Sequence, residues 1–401
     1  MRGSGSAPSR LSLPSGSTSG PAASLEPVAD RTQQALYARI DSELSWSESD
    51  LPERERTKHV HRLHPYLGKF PPQLAEALLR RRFAAGALVY DPFAGSGTTL
   101  VEASVLGMDA VGCDVSAFNC LLAGVKSASP DVAQLSSELD RALAQPPLTA
   151  PAGEWLERWI APQALSELLG FREALARSPQ RTALSVVLSR AARSARRVPH
   201  HALDEARQPV TEPYWCHKHR RECRPVQDAA HFLRRYASDS LRRLAEYAEL
   251  RQDVAVSVLH ADARSAALPS GIDGVVTSPP YPGLIDYHEQ HRYAYELLGL
   301  DDRRELELGS AVRGTARRAI AGYCEGITEV LAHTRRHLAP GAAVAIVVND
   351  SRDLYDGITH RAGFSLESRT ARHVNRRTGR RAGEYFEDVL WLRPQIARRA
   401  A

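Results

Sequence analysis

The sequence predicts an α/β fold in which a mixed, mainly parallel sheet is interrupted by a long, largely helical insertion. Short apolar runs alternate with helical periodicity in both the first and the last third of the chain. Such continuous apolar runs are typical of parallel strands that are covered on both faces. The alternation stops between about residues 127 and 250 and then resumes, which indicates an insertion rather than a second sheet.

Composition and charge set the broad class of the protein. Of 401 residues, 43% are hydrophobic and 25% are charged, as in ordinary globular proteins, whereas the small and polar residues 1–28 predict a disordered tail. No apolar stretch of about 18 residues is present, so we expect a cytoplasmic protein without a membrane partner. The net charge of +5 is compatible with a polyanionic partner. Five cysteines without a CxxC pair predict reduced thiols.

The first third of the chain predicts half of a nucleotide-binding α/β unit. The pattern predicts helix, strand, glycine turn, helix, strand and helix in that order, with the second strand running into Asp114. The predicted elements are helix 73–82, strand 87–90, helix 98–106, strand 109–113 and helix 116–126. We assign residues 29–126 to a Rossmann-like, cofactor-binding half.

The last third predicts the rest of a seven-stranded mixed sheet, within a catalytic half over residues 251–395. The predicted elements are strands 254–259, 273–277 and 342–348, a long helix over 315–338, and the β-patterned stretches 364–374 and 384–392. The insertion, 127–250, has helical patterns and a loop-like stretch near 199–226.

The first turn that could bind a ligand is DPFAGSGTT, residues 91–99, between a strand and a helix. Its glycines let the backbone approach a ligand closely, although an isolated glycine turn is as often a purely structural device. The turn lacks the lysine of a phosphate-binding loop and the third glycine of the dinucleotide motif. Asp91 suits an amino-bearing ligand, and Asp114 stands where a carboxylate accepts from ribose hydroxyls. A nucleoside that carries an amino acid satisfies both demands.

The second turn is Thr277-Ser278-Pro279-Pro280-Tyr281, at the end of a predicted strand. Two prolines stiffen the backbone and remove two amide donors, so the turn presents carbonyl oxygens and a serine hydroxyl. Two such acceptors would bind both hydrogens of a base amino group and direct its lone pair at a reacting carbon. Tyr281 offers a flat face for an extruded base, worth about 1–3 kcal/mol. Taken alone, the turn is equally a rigid loop.

Together, the DPFAGSGTT and TSPPY segments closely resemble the cofactor and catalytic motifs of amino-group DNA methyltransferases that use S-adenosylmethionine. The upstream segment HPYLGKFPP, residues 64–72, is similar to the motif that precedes them in circularly ordered members. The resemblance implies a class I methyltransferase fold and S-adenosyl-L-methionine as cofactor. By matching position, the catalytic residues are Ser278, Pro279, Pro280 and Tyr281. The implied cofactor-binding residues are Lys69, Phe70, Asp91, Phe93, Gly95, Ser96, Gly97, Thr98, Asp114 and, beside the adenine, Asp262.

The resemblance also implies a substrate and partners. A leading serine is commoner in cytosine-N4 enzymes than in adenine-N6 enzymes, so Ser278 favours cytosine N4 in double-stranded DNA. The insertion is then the candidate target-recognition region, and a partner restriction endonuclease or an orphan enzyme both fit. An RNA base-amino methyltransferase and a non-catalytic DNA-binding protein are the alternatives. The first would usually carry an RNA-binding module, and the intact motifs argue against the second.

Three further features remain ambiguous in the sequence. Tyr287–Tyr293 and His373–Arg381 mix aromatic and basic residues and are candidate contacts for DNA. Asp262 is alternatively a helix N-cap before Arg264. The residues Cys216, His217, His219 and Cys223 suffice for zinc, but their spacing matches no standard finger, so we expect a reduced loop and no metal.

Overall fold

The computed structural model describes residues 40–47, 49–68, 71–203, 208–376 and 383–395. Lys69, Phe70 and the predicted tail therefore lie outside the described residues. The main sheet has eight strands in the order β1-β9-β10-β8-β7-β2-β3-β6, and a separate two-stranded sheet joins β4 and β5. The strands are β1 (Trp46–Ser47), β2 (Leu88–Asp91), β3 (Asp109–Asp114), β4 (Tyr214–Cys216), β5 (Arg221–Cys223), β6 (Val256–His260), β7 (Ile272–Thr277), β8 (Leu338–Val348), β9 (Phe364–Arg376) and β10 (Gly383–Pro394).

The mixed α/β sheet predicted from the sequence is confirmed, with one strand more than expected. Strand β10 runs antiparallel to both of its neighbours, and the other pairs are parallel. The eighth strand is β1, whose two residues are too few to show the alternation from which strands are predicted. Each of the seven predicted strands is present, with ends within four residues of the prediction.

The helices cover the sheet and build the insertion. They are α1 (Glu53–Arg56), α2 (Pro72–Arg82), α3 (Thr98–Val105), α4 (Ala117–Ser127), α5 (Val132–Leu143), α6 (Glu154–Trp159), α7 (Pro162–Glu173), α8 (Arg181–Ala195), α9 (Ala230–Ala248), α10 (Tyr287–Gln290), α11 (Arg292–Leu298), α12 (Arg317–Arg335) and α13 (Tyr355–Arg361). Short 3₁₀ helices lie at Ser42–Leu44, His59–Arg62, Ala174–Arg177, Arg304–Leu306 and Ala311–Arg313. In the described part of the chain, none of the helices combines the length and the apolar character that a membrane span needs.

Alternate residues of the central strands face opposite hydrophobic clusters. Val89 and Val276 contribute to the cluster that contains residues of α2 and α3. Tyr90 and Val275 contribute to the cluster that contains residues of α12 and α13. This is the two-sided burial that the apolar strands predicted. A third cluster joins the insertion helices α5 to α9 to α4, through residues such as Phe118 and Leu122.

The strand order reverses between β2 and β7. From β2 the chain proceeds to β3 and β6 on one side, whereas from β7 it proceeds to β8 on the other. In an open α/β sheet, such a reversal leaves a crevice at the carboxyl ends of the two strands, where ligands bind. The glycine turn follows β2 and the proline turn follows β7, so both open into this crevice.

Candidate functional site

The two motif turns are joined by a buried hydrogen bond. The Thr277 hydroxyl donates to the Asp91 carboxylate across 2.6 Å, from the end of β7 to the end of β2. Both residues are buried, and their strands pair in parallel just before them. Segments 91–99 and 277–283 therefore lie at the same edge of the sheet.

A cavity lies where the turns meet, with about 580 Å³ of space between the atoms, part of it open to solvent. Its wall contains residues from both turns, from the end of β3 and from the segment that follows β6. The predicted site residues in this wall are Phe93, Gly95, Asp114, Asp262, Ser278 and Pro280. The other described candidates lie outside the wall: Asp91, Ser96, Gly97, Thr98, Pro279 and Tyr281.

The glycine turn is shaped by backbone conformations that favour glycine. Gly95 and Gly97 have φ angles of +49° and +79°. A Cβ atom on Gly97 would lie 2.9 Å from Cα of Ala123, and one on Gly95 would lie 2.8 Å from the Tyr66 hydroxyl. The first glycine therefore keeps the turn close to the wall of the cavity, and the second lets α3 lie against α4.

Asp114 connects the glycine turn to the end of β3. Its Oδ2 accepts from the Gly95 amide at 2.9 Å, and its Oδ1 accepts from the Ser116 amide and the Asn119 side chain. A carboxylate has about four acceptor positions, so capacity for one further donor remains. Burial raises the pKa of Asp114 to about 6. This site suits a ligand hydroxyl.

Asp91 has a different setting from the one its motif implies. Its Oδ1 accepts from Thr277 and from the Phe93 amide, and burial raises its pKa to about 6. The carboxylate thus holds the two turns together, and a direct contact with the amino group of a cofactor stays a prediction. Behind it, the Ser96 hydroxyl is buried without a hydrogen-bond partner, and Thr98 begins α3.

The proline turn presents an acceptor to the cavity. Ser278 Oγ donates to the carbonyl of Val347 on β8 at 3.0 Å. Because its single proton is used there, the hydroxyl oxygen can only accept on its remaining side. The Tyr281 hydroxyl lies 3.4 Å from Glu387 Oε1, and Arg372 donates to the other oxygen of Glu387. Burial raises the pKa of Tyr281 well above its usual value, so the phenol stays protonated.

Four polar residues of the wall were not among the predicted site residues: Tyr66, Asn119, Tyr287 and Glu307. Glu307 Oε1 accepts from the Tyr287 amide, whereas the buried Oε2 accepts no hydrogen bond from the residues that the structure describes and lies 3.5 Å from His288 Nδ1. The Tyr66 and Tyr287 rings stack with centroids 5.7 Å apart. Two of them had a signal in the sequence: Tyr66 lies within the HPYLGKFPP segment, and Tyr287 begins a segment that was predicted to contact DNA.

The donor set fits S-adenosylmethionine. A buried carboxylate oxygen without a donor suits a cationic or amino-bearing ligand, and Asp114 suits its hydroxyls. The third carboxylate, Asp262, accepts from the Arg264 amide and from its guanidinium through both oxygens. No helix begins there in the described structure, so the interpretation as a helix N-cap is wrong.

The burial of side chains corrects the prediction for one of the two candidate DNA contacts. His288 and His291 are fully buried, and Tyr293 is 1% exposed. The Tyr293 ring lies against His64, the His291 ring against Phe118 and the His288 ring against Tyr295. The segment Tyr287–Tyr293 therefore cannot present these side chains to DNA. The other candidate, His373–Arg381, lies partly outside the described residues.

Comparison with known proteins agrees with these motifs. A family model for N6/N4 DNA methylases, described as DNA methylase, matches residues 28–123. The chain is 32% identical over 451 aligned positions to the Type II methyltransferase M.MjaII of Methanocaldococcus jannaschii, covering 90% of this chain and 85% of that protein.

Solved structures of other methyltransferases resemble the chain only distantly. A SAM-dependent methyltransferase from Methanosarcina mazei is 9% identical at a TM-score of 0.33 and covers 80% of this chain and 97% of that one. The rRNA methyltransferase AviRa of Streptomyces viridochromogenes is 14% identical at a TM-score of 0.32 and covers 82% and 88%. At these scores the strand order above, rather than the superposition, defines the fold.

The identity over most of both chains, with the two motifs at one edge of the sheet, shows that the chain belongs to the S-adenosylmethionine-dependent DNA methyltransferases that act on base amino groups.

Proposed function

We propose that the enzyme methylates N4 of cytosine in double-stranded DNA, by direct transfer to a base that has been flipped out of the helix. The observation that carries this proposal is the fixed orientation of the Ser278 hydroxyl, whose oxygen faces the cavity as an acceptor. The preference of cytosine-N4 enzymes for a leading serine supports cytosine over adenine.

The residues of the proline turn would act by positioning the amino group of the flipped base. The amino group of cytosine is a poor nucleophile because its lone pair is delocalised into the ring. Ser278 Oγ and a carbonyl of Pro279 or Pro280 would each accept one amino hydrogen, which favours a tetrahedral nitrogen with its lone pair directed at the methyl donor. Tyr281 would stack against the base. S-Adenosylmethionine, when bound, supplies an electrophilic methyl group.

The opposite wall would hold the cofactor. We assign the ribose hydroxyls of the cofactor to Asp114 and its cationic methionine end to Glu307. The backbone at Phe93, Gly95 and the start of α3 would lie directly against the cofactor. Asp262 remains the candidate for the adenine amino group, where its pairing with Arg264 leaves room on only part of the carboxylate. Asp91 would act indirectly, by holding the two turns in position through its hydrogen bonds to Thr277 and the Phe93 amide.

The insertion, residues 127–250, is the proposed target-recognition region because it lies between the cofactor and catalytic motifs. The relative from Methanocaldococcus jannaschii is named a Type II methyltransferase, which supports a cytoplasmic role with a partner restriction endonuclease. Sequencing of methylated positions in host DNA would identify the recognition sequence.

The base specificity can be tested directly. The purified chain is incubated with tritiated S-adenosylmethionine and either duplex DNA or bulk RNA, and the products are digested to nucleosides for mass spectrometry. We expect label in N4-methylcytosine from duplex DNA. Label in N6-methyladenine or in RNA would replace the proposed substrate, and cofactor binding without any transfer would favour a non-catalytic protein.

Variants of the proline turn test the positioning argument. Ser278→Ala removes an acceptor from the site of transfer, so we expect kcat to fall by about 10²–10³-fold, as for other lost hydrogen bonds to a transition state. Tyr281→Ala should lower turnover further. Tyr281→Phe keeps the ring and removes the hydroxyl, which interacts with Glu387 and Ser278, so it is the matched control for stacking and should stay within about threefold of the parent. Full activity of Ser278→Ala and Tyr281→Ala would refute the mechanism.

A further inference from the structure

The small hairpin in the insertion has cysteines where a hydrophobic core would be expected. Strands β4 and β5 have three residues each and pair with each other, apart from the main sheet. Trp215 and Glu222 form an outward pair, with Trp215 58% exposed, whereas Cys216 and Cys223 are buried on the inner face. A two-stranded hairpin of this size is at best marginally stable in water, so it needs a further constraint.

Four metal-binding side chains converge on this inner face. His219 lies in the hairpin turn, where the Arg220 amide donates to the carbonyl of Cys216, and His200 comes from the segment after α8. One ligand atom from each of His200, Cys216, His219 and Cys223 lies within 4.8 Å of the other three. The set combines two thiols with two imidazoles, the donors that zinc prefers in structural sites.

The distances match a tetrahedral zinc ion. With Zn–S near 2.3 Å and Zn–N near 2.0 Å, a sulfur and a nitrogen on one tetrahedron lie about 3.5 Å apart. In the structure, Sγ of Cys216 is 3.8 Å from Nδ1 of His200 and 3.7 Å from Nδ1 of His219. Sγ of Cys223 is 3.5 Å from the same His219 nitrogen. These three edges agree with the tetrahedral value to within about 0.3 Å.

We propose that His200, Cys216, His219 and Cys223 bind one structural zinc ion, which ties the hairpin to the segment that follows α8. Four protein ligands complete a tetrahedron and leave no position for water, so the site stabilises structure and performs no chemistry. On binding, the two thiols release their protons to solvent and coordinate as thiolates. The pattern is H-x₁₅-C-x₂-H-x₃-C, which replaces the awkward neighbour His217 with the distant His200.

The contacts around the cluster are compatible with this assignment. The Tyr214 hydroxyl lies 3.1 Å from His200 Nδ1 and also accepts from the His200 amide at 3.2 Å. When the His200 imidazole coordinates the metal, the Tyr214 hydroxyl can still accept the hydrogen bond from the His200 amide. His217 instead packs against His201, with ring centroids 5.3 Å apart.

In a second cluster of potential ligands, His59, His61 and Glu102, both carboxylate oxygens are already engaged. Lys58 Nζ lies 2.8 Å from one oxygen of Glu102, and Nε2 of His61 lies 2.7 Å from the other. An ammonium group beside the carboxylate opposes a divalent cation. We therefore expect no metal ion at this second cluster.

The first experiment measures the zinc content of the tag-free full-length chain by plasma mass spectrometry. We expect about one zinc per chain in the parent and in His217→Ala, and at least a tenfold lower content in Cys216→Ser and His200→Ala. His217 is the matched control because it adjoins Cys216 and lies outside the cluster. Equal loss from His217→Ala and Cys216→Ser, or retention of zinc in Cys216→Ser, would overturn the assignment.

Cobalt substitution keeps the test valid if a variant folds poorly. The parent chain is stripped with a chelator and titrated with Co²⁺ alone. We expect visible bands of tetrahedral cobalt and a thiolate-to-cobalt charge-transfer band that saturate at one equivalent, and an unchanged response in His217→Ala. A parent chain without zinc that gives no thiolate band, or one in which Cys216 and Cys223 form a disulfide, would refute the site.

Discussion

The hydrogen bond between Thr277 and Asp91 predicts a stability loss that depends on pH. Both groups are buried, at the ends of the two strands that carry the motifs. Thr277→Val keeps the shape of the side chain and removes the hydroxyl. A hydrogen bond to a charged acceptor contributes about 1.5–3 kcal/mol, and the buried carboxylate would lose this donor without access to water as a replacement.

The pH dependence follows from the carboxylate. Burial raises the pKa of Asp91 to about 6, and the Thr277 hydroxyl opposes this increase because it stabilises the ionised form. At about 1.4 kcal/mol per pKa unit, the loss of this donor would raise the pKa by about one to two further units. The difference in the free energy of unfolding between parent and variant should therefore be small below pH 6, where Asp91 is mostly protonated in both proteins. It should grow to the full 1.5–3 kcal/mol, roughly, at pH 8.5.

The assay is urea unfolding of the parent, Thr277→Val and Thr277→Ser at pH 5.5 and pH 8.5. Thr277→Ser keeps the hydroxyl and loses one methyl group, so its loss of about 1 kcal/mol should be the same at both pH values. A constant loss for Thr277→Val across this range, or no loss at all, would show that the bond does not couple Asp91 to the proline turn.

Three further results are expected. Gly95→Ala should weaken cofactor binding measured by calorimetry, because its Cβ would meet the Tyr66 hydroxyl at 2.8 Å, and Tyr66→Phe in the same chain should recover part of the loss. Cofactor affinity should fall by up to about tenfold per pH unit below pH 6, as the carboxyl of Asp114 becomes protonated, and should lose this dependence in Asp114→Asn. Trp215→Ala should weaken binding of duplex DNA in fluorescence anisotropy at fixed salt, whereas unchanged affinity would argue against the hairpin as part of the recognition region.

Most strands and both motif turns were predictable because each gives a signal within a few consecutive residues. The apolar runs of β7 and β8 and the turns around Gly95 and Pro279 have short-range signals that the structure confirms. Strand β1 has two residues and gave no periodic signal. The segment Tyr287–Tyr293 was misinterpreted because mixed aromatic and basic residues indicate an exposed surface only when tertiary packing leaves them exposed, and here His288, His291 and Tyr293 are buried.

The cavity wall and the cysteine cluster were harder to predict because they depend on contacts between distant parts of the chain. Glu307 follows a short 3₁₀ helix in an irregular segment, and only the folded chain brings its carboxylate toward Asp114. His200 lies far from Cys216 in sequence, so the adjacent His217 was grouped with the cysteines instead, and the spacing of that set matched no standard zinc finger. Periodicity reports which face of an element is buried, whereas it does not report which loops meet at the edge of a sheet.

The charges of the cavity explain how a cation and a neutral base can share a site on a protein that binds polyanionic DNA. Glu307 and burial act together to raise the pKa of Asp114, because each disfavours a second negative charge in the wall. A cationic cofactor removes this penalty, so its binding should lower the pKa of Asp114 and release a proton near pH 6. The same carboxylates repel DNA phosphates from the cavity, and a neutral extruded base meets no such barrier. If the cofactor and the base bind as proposed, the acidic wall would favour both ligands, the cofactor by its charge and the base by its lack of charge.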